Sequence, residues 1–116
     1  MLGEPEAQVD AAAAGVHVLV EKPIALDLRL ADEMIQACAR AGVVLMVNHQ
    51  LRSSGPVSTA RQLISSGTIG AITHVRLRQG HDWGGLTSVR PTFAIKATSG
   101  GGTLLDNGCH LADLAL

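Results

Sequence analysis

The chain has 116 residues, the length of one ordinary domain, and 47% of them are hydrophobic. Its formal net charge of -1 gives no electrostatic reason to bind nucleic acid or an anionic membrane, and no apolar run approaches the roughly 20 residues that span a bilayer. The two cysteines, Cys38 and Cys109, favour free thiols in a reducing compartment, so we expect a globular cytoplasmic protein.

The first half of the chain alternates between helical and extended patterns. We predict a helix over Glu4–Ala14, a strand over Val16–Val20, a helix over Leu28–Ala41 with Asp27 as its cap, and a strand over Val43–Val47. Both strands are continuous apolar runs, which is typical of strands that are covered on both faces. The alternation of helix and strand predicts an α/β fold with a parallel sheet.

Polar residues follow both predicted strands, Glu21–Pro23 after the first and Asn48–Gln50 after the second. Because ligands of open parallel sheets bind outside the carboxyl ends of the strands, we expect both groups to lie at one binding edge. Lys22 is a candidate acid or base there, and Pro23 restricts the backbone beside it. A solvated Glu-Lys pair at a strand exit is the alternative interpretation of the same residues.

The second half of the chain has a different pattern. We predict a helix over Val57–Ser66, a turn over Gly67–Gly70, a strand over Ala71–Gln79, glycine-rich loops over residues 80–102, and a helix over Thr103–Leu116. The strand over residues 71–79 alternates between apolar and polar positions, unlike the two earlier strands, which indicates a sheet with one wetter face.

This change of strand type predicts a domain boundary, so we expect one partial domain over residues 1–70 and the beginning of another over residues 71–116. A sheet of two parallel strands cannot cover its own edges, and the last predicted helix has no terminating residue. We therefore expect the chain to be a piece of a larger fold.

A polar cluster lies in the last 17 residues, GGGTLLDNGCHLADLAL. Asp106 and His110 are four residues apart and share one face of the predicted helix, with Asp113 a further turn along. A carboxylate beside an imidazole tunes its pKa and fixes its tautomer, which suits a general base. A polar helix face behind a capping loop fits the same spacing. The carboxylates and His110, with His49, could instead bind a divalent metal ion.

Two segments in this order, GVHVLVEKPIAL and GGGTLLDNGCHLADL, resemble the Gfo/Idh/MocA family of nicotinamide-dependent oxidoreductases. ISSGTIGAITHVRL is similar to the family's link between its two domains, so the resemblance covers nearly the whole chain. It implies the C-terminal part of a Rossmann-type parallel sheet, followed by the beginning of an α/β domain with a large open, mostly antiparallel sheet. It also implies hydride transfer between a sugar, cyclitol or related hydroxyl compound and NAD or NADP. In the family the open sheet often joins subunits, so a homo-oligomer is one expectation.

The resemblance also implies roles for individual residues. Lys22, Asp106 and His110 would be catalytic: Lys22 between nicotinamide and substrate, His110 as the base, and Asp106 holding the hydroxyl group. The cofactor would contact Glu21, Lys22, Pro23 and Arg52, and the substrate would contact Lys22, Trp83, Asp106, Asn107 and His110. Trp83 is included on its residue type, because an indole face suits a sugar ring, and a tryptophan that anchors its loop is the alternative. No resident metal is expected.

The sequence departs from the family in one respect. The G-x-G-x-x-G fingerprint that binds the pyrophosphate of a dinucleotide is absent. We therefore expect this chain by itself to bind the cofactor poorly and to turn over little or no substrate. A relative that keeps the fold without catalysis is the remaining alternative.

Overall fold

The fold is seen in a computed structural model that describes residues 5–80, 82, 85, 88, 89 and 91–116. The first half contains α1 (Glu6–Ala13), β1 (Val18–Glu21), α2 (Leu28–Ala41) and β2 (Leu45–Asn48). The second half contains a 3₁₀ helix (Gln50–Ser53), α3 (Gly55–Ser65), another 3₁₀ helix (Pro91–Ala94), and the short helices α4 (Lys96–Ser99), α5 (Thr103–Asp106) and α6 (Gly108–Ala115).

Strands β1 and β2 form a parallel pair, and α2 connects them. The register aligns Val18 with Leu45 at one end and Glu21 with Asn48 at the other. The carboxyl ends of both strands therefore meet at one edge of the sheet, and the parallel arrangement predicted from the alternation of helix and strand is confirmed.

Both long helices of the first half end at a glycine. Gly15 has φ 76°, and the following Val16 N–H donates to Ala11 O at 3.0 Å, which is a Schellman cap. Gly42, with φ 67°, ends α2 in the same way. Because the residue after each glycine completes a helix cap, both strands begin two residues later than predicted.

The core lies on one face of the sheet, where α1 and α2 pack together. Its buried residues are Ala12, Val18, Val20, Ala37 and Cys38 in one cluster and Ala25, Ala31 and Met34 in another. On the opposite face, Leu19 is 67% exposed and its neighbour in register, Met46, is 60% exposed. The prediction that the strands are covered on both faces is therefore wrong for the described residues, because both helices lie on the same side.

Residues 71–79 do not form the predicted strand in this structure, and apolar side chains such as Ile72 and Val75 are exposed. A strand is stabilised by hydrogen bonds to a neighbouring strand. The sheet of the described residues contains β1 and β2 alone, so the alternating pattern has nothing to pair with. The large antiparallel sheet is not seen in the described part of the chain.

The predicted helix over Thr103–Leu116 is divided at Asn107 into α5 and α6. The backbone stays compact across the division, since Asn107 N–H donates to Thr103 O at 2.8 Å and His110 N–H donates to Asn107 O at 3.1 Å. The i to i−3 bond from His110 is tighter than an α-helical one. No helix within the described residues is long and apolar enough to cross a membrane.

Candidate functional site

The polar groups that follow the two strands meet as predicted. Asn48 Nδ2 donates to Glu21 Oε1 at 2.7 Å across the register pair that ends the sheet. Glu21 is exposed, and the next peptide bond, Lys22–Pro23, is cis. The end of β1 therefore presents a carboxylate, a lysine and a proline at the edge where open parallel sheets bind ligands.

Lys22 binds the distant residue Asp106. Its Nζ donates to Asp106 Oδ1 at 2.8 Å and to Asp106 O at 2.9 Å, and the two side chains are only 14% and 19% exposed. A charge-assisted hydrogen bond shielded from water is stronger than an exposed one. The pair joins residues that are 84 positions apart and brings two of the predicted catalytic residues together.

His110 lies next to this pair and is 3% exposed. Its Nδ1 is buried, and no described residue supplies a hydrogen-bond partner for it. Burial lowers the pKa of His110, and the charge of Lys22 lowers it further, with a smaller contribution from His49 in the same direction. Asp106 and Asp113 oppose this shift without reversing it. The imidazole is therefore neutral near pH 7 and able to accept a proton.

Asp106 and His110 do not form the carboxylate–imidazole pair that their spacing predicted. The Asp106 carboxylate is bonded to Lys22, and among the described residues it makes no hydrogen bond to the His110 ring. The helix is divided at Asn107, which lies between the two residues. Asp106 acts on His110 through its charge, and its hydrogen bond goes to Lys22.

A second polar cluster lies beside His110. Arg52 Nε donates to Asp113 Oδ2 at 2.7 Å, and Arg52 Nη2 donates to Asp113 O at 3.3 Å. His49 Nδ1 is 3.7 Å from the same carboxylate oxygen, and the His49 ring stands edge-on to His110 with centroids 6.1 Å apart. The hydrogen bond from Arg52 lowers the pKa of Asp113, and Asp113 raises the pKa of Arg52. Arg52, predicted to contact the cofactor, therefore pairs with Asp113, which was predicted to share a helix face with Asp106 and His110.

The alternative metal site finds no support in the geometry. The Asp106 carboxylate is bound by Lys22 and the Asp113 carboxylate by Arg52. Across the described part of the chain, no three His, Cys, Asp or Glu side chains are grouped so that they could hold a metal ion.

Gly100, the first residue of the glycine triplet, packs against Leu26 in the segment that follows Pro23. Gly100 has φ 73°, and a Cβ built on it would lie 2.7 Å from both Leu26 Cδ2 and Leu105 Cδ2. A side chain is excluded there by both space and backbone conformation. This close approach brings α5, and with it Asp106, next to the end of β1.

The remaining predicted residues are placed as follows. Asn107 is 5% exposed and takes part in a polar interaction. Cys109 Sγ contacts Asp106 O at 3.1 Å, and burial raises the pKa of this thiol. Trp83 lies outside the described residues. The spacing of the sequence could not reveal the cluster around Asp113, because its members are 61 positions apart.

Comparisons with known families match both halves of the chain. The family described as "Oxidoreductase family, NAD-binding Rossmann fold" matches residues 4–49, and the "GFO/IDH/MocA C-terminal domain" matches residues 57–116. Among curated proteins, the 1,5-anhydro-D-fructose reductase of Ensifer adhaerens is 38% identical over 100 residues, which is 86% of this chain and 29% of that protein.

Solved structures of oxidoreductases match the fold. An oxidoreductase from Agrobacterium radiobacter in complex with NAD+, L-tartaric acid and magnesium is 29% identical with a TM-score of 0.82, covering 96% of this chain and 31% of that one. Myo-inositol 2-dehydrogenase from Lactobacillus plantarum is 25% identical with a TM-score of 0.81, covering 96% and 32%. The chain thus spans about a third or less of the length of these three proteins.

Proposed function

The chain belongs to the GFO/IDH/MocA oxidoreductase family, and from that premise we propose that it carries the catalytic residues of a dehydrogenase acting on a sugar, cyclitol or related hydroxyl compound. The observation that carries the proposal is the Lys22–Asp106 ion pair, shielded from water, beside the buried neutral imidazole of His110.

The residues at the end of β1 suit the nicotinamide end of a cofactor, because Glu21, Lys22 and Pro23 stand at the ligand-binding edge of a parallel sheet. NAD or NADP would supply the hydride acceptor when bound. A pyrophosphate fingerprint is absent from the 116 residues, so we propose that this chain by itself holds the cofactor weakly. Cofactor titration of the isolated chain, followed by nicotinamide fluorescence, tests this, and tight saturable binding would contradict it.

His110 is the general base in this proposal. As the substrate carbon gives up its hydride, the hydroxyl proton moves to an imidazole nitrogen of His110, and a carbonyl group remains on the product. A base must be unprotonated to accept the proton, and burial keeps His110 in that form. The neighbouring His49 is less deeply placed and is not required for this step.

Lys22 stabilises the negative charge that develops on the substrate oxygen. Two of the three N–H groups of its ammonium bind Asp106, and no described residue takes the third. A preorganised cation at the reacting oxygen acts strongly in a site from which water is excluded. Asp106 holds Lys22 in place and accepts hydrogen bonds from it, so that the ammonium is oriented before the substrate arrives.

The substrate class rests on the relatives. The names of two of them denote action on an anhydro-sugar and on myo-inositol, both of which are rich in hydroxyl groups. Free thiols at Cys38 and Cys109 favour a reducing compartment, so we place the enzyme in the cytoplasm.

The domain organisation remains part of the proposal. We place the boundary between residues 70 and 71 and propose that residues 71–79 form a strand when neighbouring strands of an antiparallel sheet are present. The apolar alternation of this segment would then be buried on one face, and the sheet would offer a surface for a homo-oligomer.

The test is hydride transfer in the complete reading frame that contains these residues. The purified protein is screened for reduction of NAD+ and NADP+ with sugars and cyclitols, and a substrate deuterated at the reacting carbon should pass its label to the nicotinamide. His110→Asn should lower the rate by about 10²- to 10⁴-fold. His74→Asn, at an exposed histidine, is the matched control. Full activity of the His110 variant would remove it as the base.

A further inference from the structure

Helix α6 is attached to the segment after β2 by one arginine. Arg52 lies in the 3₁₀ helix Gln50–Ser53, and it binds Asp113, which is three residues beyond His110 on α6. Residues three apart on a helix share a face, so the side of α6 that carries His110 is also the side that Arg52 holds.

We propose that Arg52 is a positioning residue, which fixes α6 through Asp113 and so holds His110 beside Lys22. The inference rests on the proposed role of His110 as the base. It assigns to Arg52 a task that the resemblance to the family did not suggest, since Arg52 was expected to contact the cofactor.

The contact is suited to setting the orientation of a helix. Arg52 binds both the carboxylate and the backbone carbonyl of Asp113, through two different nitrogens of its guanidinium. Such a planar fork restricts direction as well as distance. The Asp113 side chain is only 12% exposed, while that of Arg52 is 50% exposed. Loss of Arg52 would therefore leave a largely buried carboxylate without its cation.

This second attachment adds to the backbone hydrogen bonds that join α5 and α6, which are separate short helices. Lys22 holds Asp106 at the end of α5, but the chain divides at Asn107 before His110 is reached. The first residue of α6 is Gly108, and no side chain caps the helix at its start. The ion pair at Asp106 therefore restrains one side of the division and the ion pair at Asp113 restrains the other.

The two attachments also set the charge around His110. The titratable groups whose charges act on His110 are Lys22, His49, Asp106 and Asp113. Arg52 compensates the charge of Asp113. Without Arg52 the carboxylate would act on His110 uncompensated and raise the pKa of His110, while loss of Asp113 would lower it.

The first experiment is a double-mutant cycle on the expressed protein with histidine labelled for NMR. Arg52→Gln should raise the pKa of His110, Asp113→Asn should lower it, and the double variant should differ from the sum of the two changes. Arg61→Gln, at an exposed arginine of α3, is the matched control and should leave the pKa of His110 unchanged. Additive changes, or equal results for Arg52→Gln and Arg61→Gln, would overturn the proposal.

The second experiment measures turnover of the complete protein. Arg52→Gln and Asp113→Asn should each lower kcat by about tenfold through misplacement of the base, without raising the KM for the cofactor. Arg52→Lys keeps the charge but loses the planar fork, and it should recover part of the loss. An Arg52 variant that raises the cofactor KM independently of Asp113 would show that it contacts the cofactor instead.

The two proposals can fail separately. If His110→Asn keeps full activity while the NMR cycle shows coupling, the role of His110 as base is wrong and the attachment of α6 stands. If His110→Asn is inactive and the cycle shows no coupling, the attachment is wrong and the role of His110 stands.

Discussion

The two halves of the molecule organise their apolar residues differently. Residues 5–48 bury alanine, valine, cysteine and methionine side chains between a parallel strand pair and two helices. Residues 55–80 carry a comparable apolar pattern, yet nearly all of their side chains are exposed. The difference shows that periodicity creates an apolar face, whereas burial requires another element against it. The candidate site depends on both parts, because Lys22 comes from the organised half and His110 from the last helix.

The largest effect is expected from removing the Lys22–Asp106 ion pair, which joins the two halves. Lys22→Met should lower kcat/KM by about 10²- to 10³-fold, because it removes the cation that faces the developing oxyanion. It should also loosen α5, since Asp106 would lose both of the bonds from Lys22. Steady-state kinetics and amide exchange of residues 103–106 measure the two effects. Lys96→Met, at an exposed lysine, is the control, and equal kinetics for the two variants would refute the role of Lys22.

A substitution in the core tests whether buried and exposed apolar side chains contribute differently to stability. Met34 is 2% exposed, and Met34→Ala should lower the free energy of unfolding by about 2–5 kcal/mol, from lost burial and the cavity that remains. Leu104 is 85% exposed, so Leu104→Ala should change it by less than about 0.5 kcal/mol. Urea denaturation compares them, and similar midpoints would show that the packing of α2 is not the source of stability.

Substitutions at two glycines test whether the loop before α5 packs against Leu26 in the first half. Gly100→Ala should destabilise the fold by about 1–3 kcal/mol, because φ is positive and the new methyl group meets Leu26 and Leu105. Gly102 has φ -89° and open space around it, so Gly102→Ala should have little effect. Thermal unfolding measures both, and a neutral Gly100 variant would mean that the loop does not pack on Leu26.

The smallest expected effect is a dependence on pH. Folding lowers the pKa of His110 below its ordinary value of 6.5, so the unfolded chain binds the proton more readily. Its contribution to the free energy of unfolding is fully present above the pKa that His110 has in the unfolded chain, and it is lost as the pH falls below that pKa. Activity should decline in the same direction, because a protonated imidazole cannot act as the base, with the acid limb below pH 6.5. A pH profile of kcat/KM with its acid limb above that value would contradict the burial of a neutral His110.

Local patterns accounted for most of the organised half. Glycine at the helix ends, Asp27 at the start of α2 and the alternation of elements predicted a parallel pair whose polar ends meet, and Glu21 and Asn48 do meet. The described residues differ from the same reasoning where a partner element was needed. Cover on both faces of β1 and a strand over residues 71–79 were expected, and the described residues provide neither.

The candidate site divides in the same way. The resemblance of its ordered motifs to the family predicted Lys22, Asp106 and His110 as catalytic residues, whereas their spacing alone left other interpretations open, and the catalytic roles stay a prediction. Which residues the charged side chains of the site bind became visible only in the tertiary structure. The Asp106 carboxylate binds Lys22 rather than the imidazole, and Arg52 binds Asp113, across 84 and 61 residues of chain. Local sequence determines caps, turns and apolar faces through contacts between near neighbours, whereas ion pairs between distant residues depend on how the elements pack.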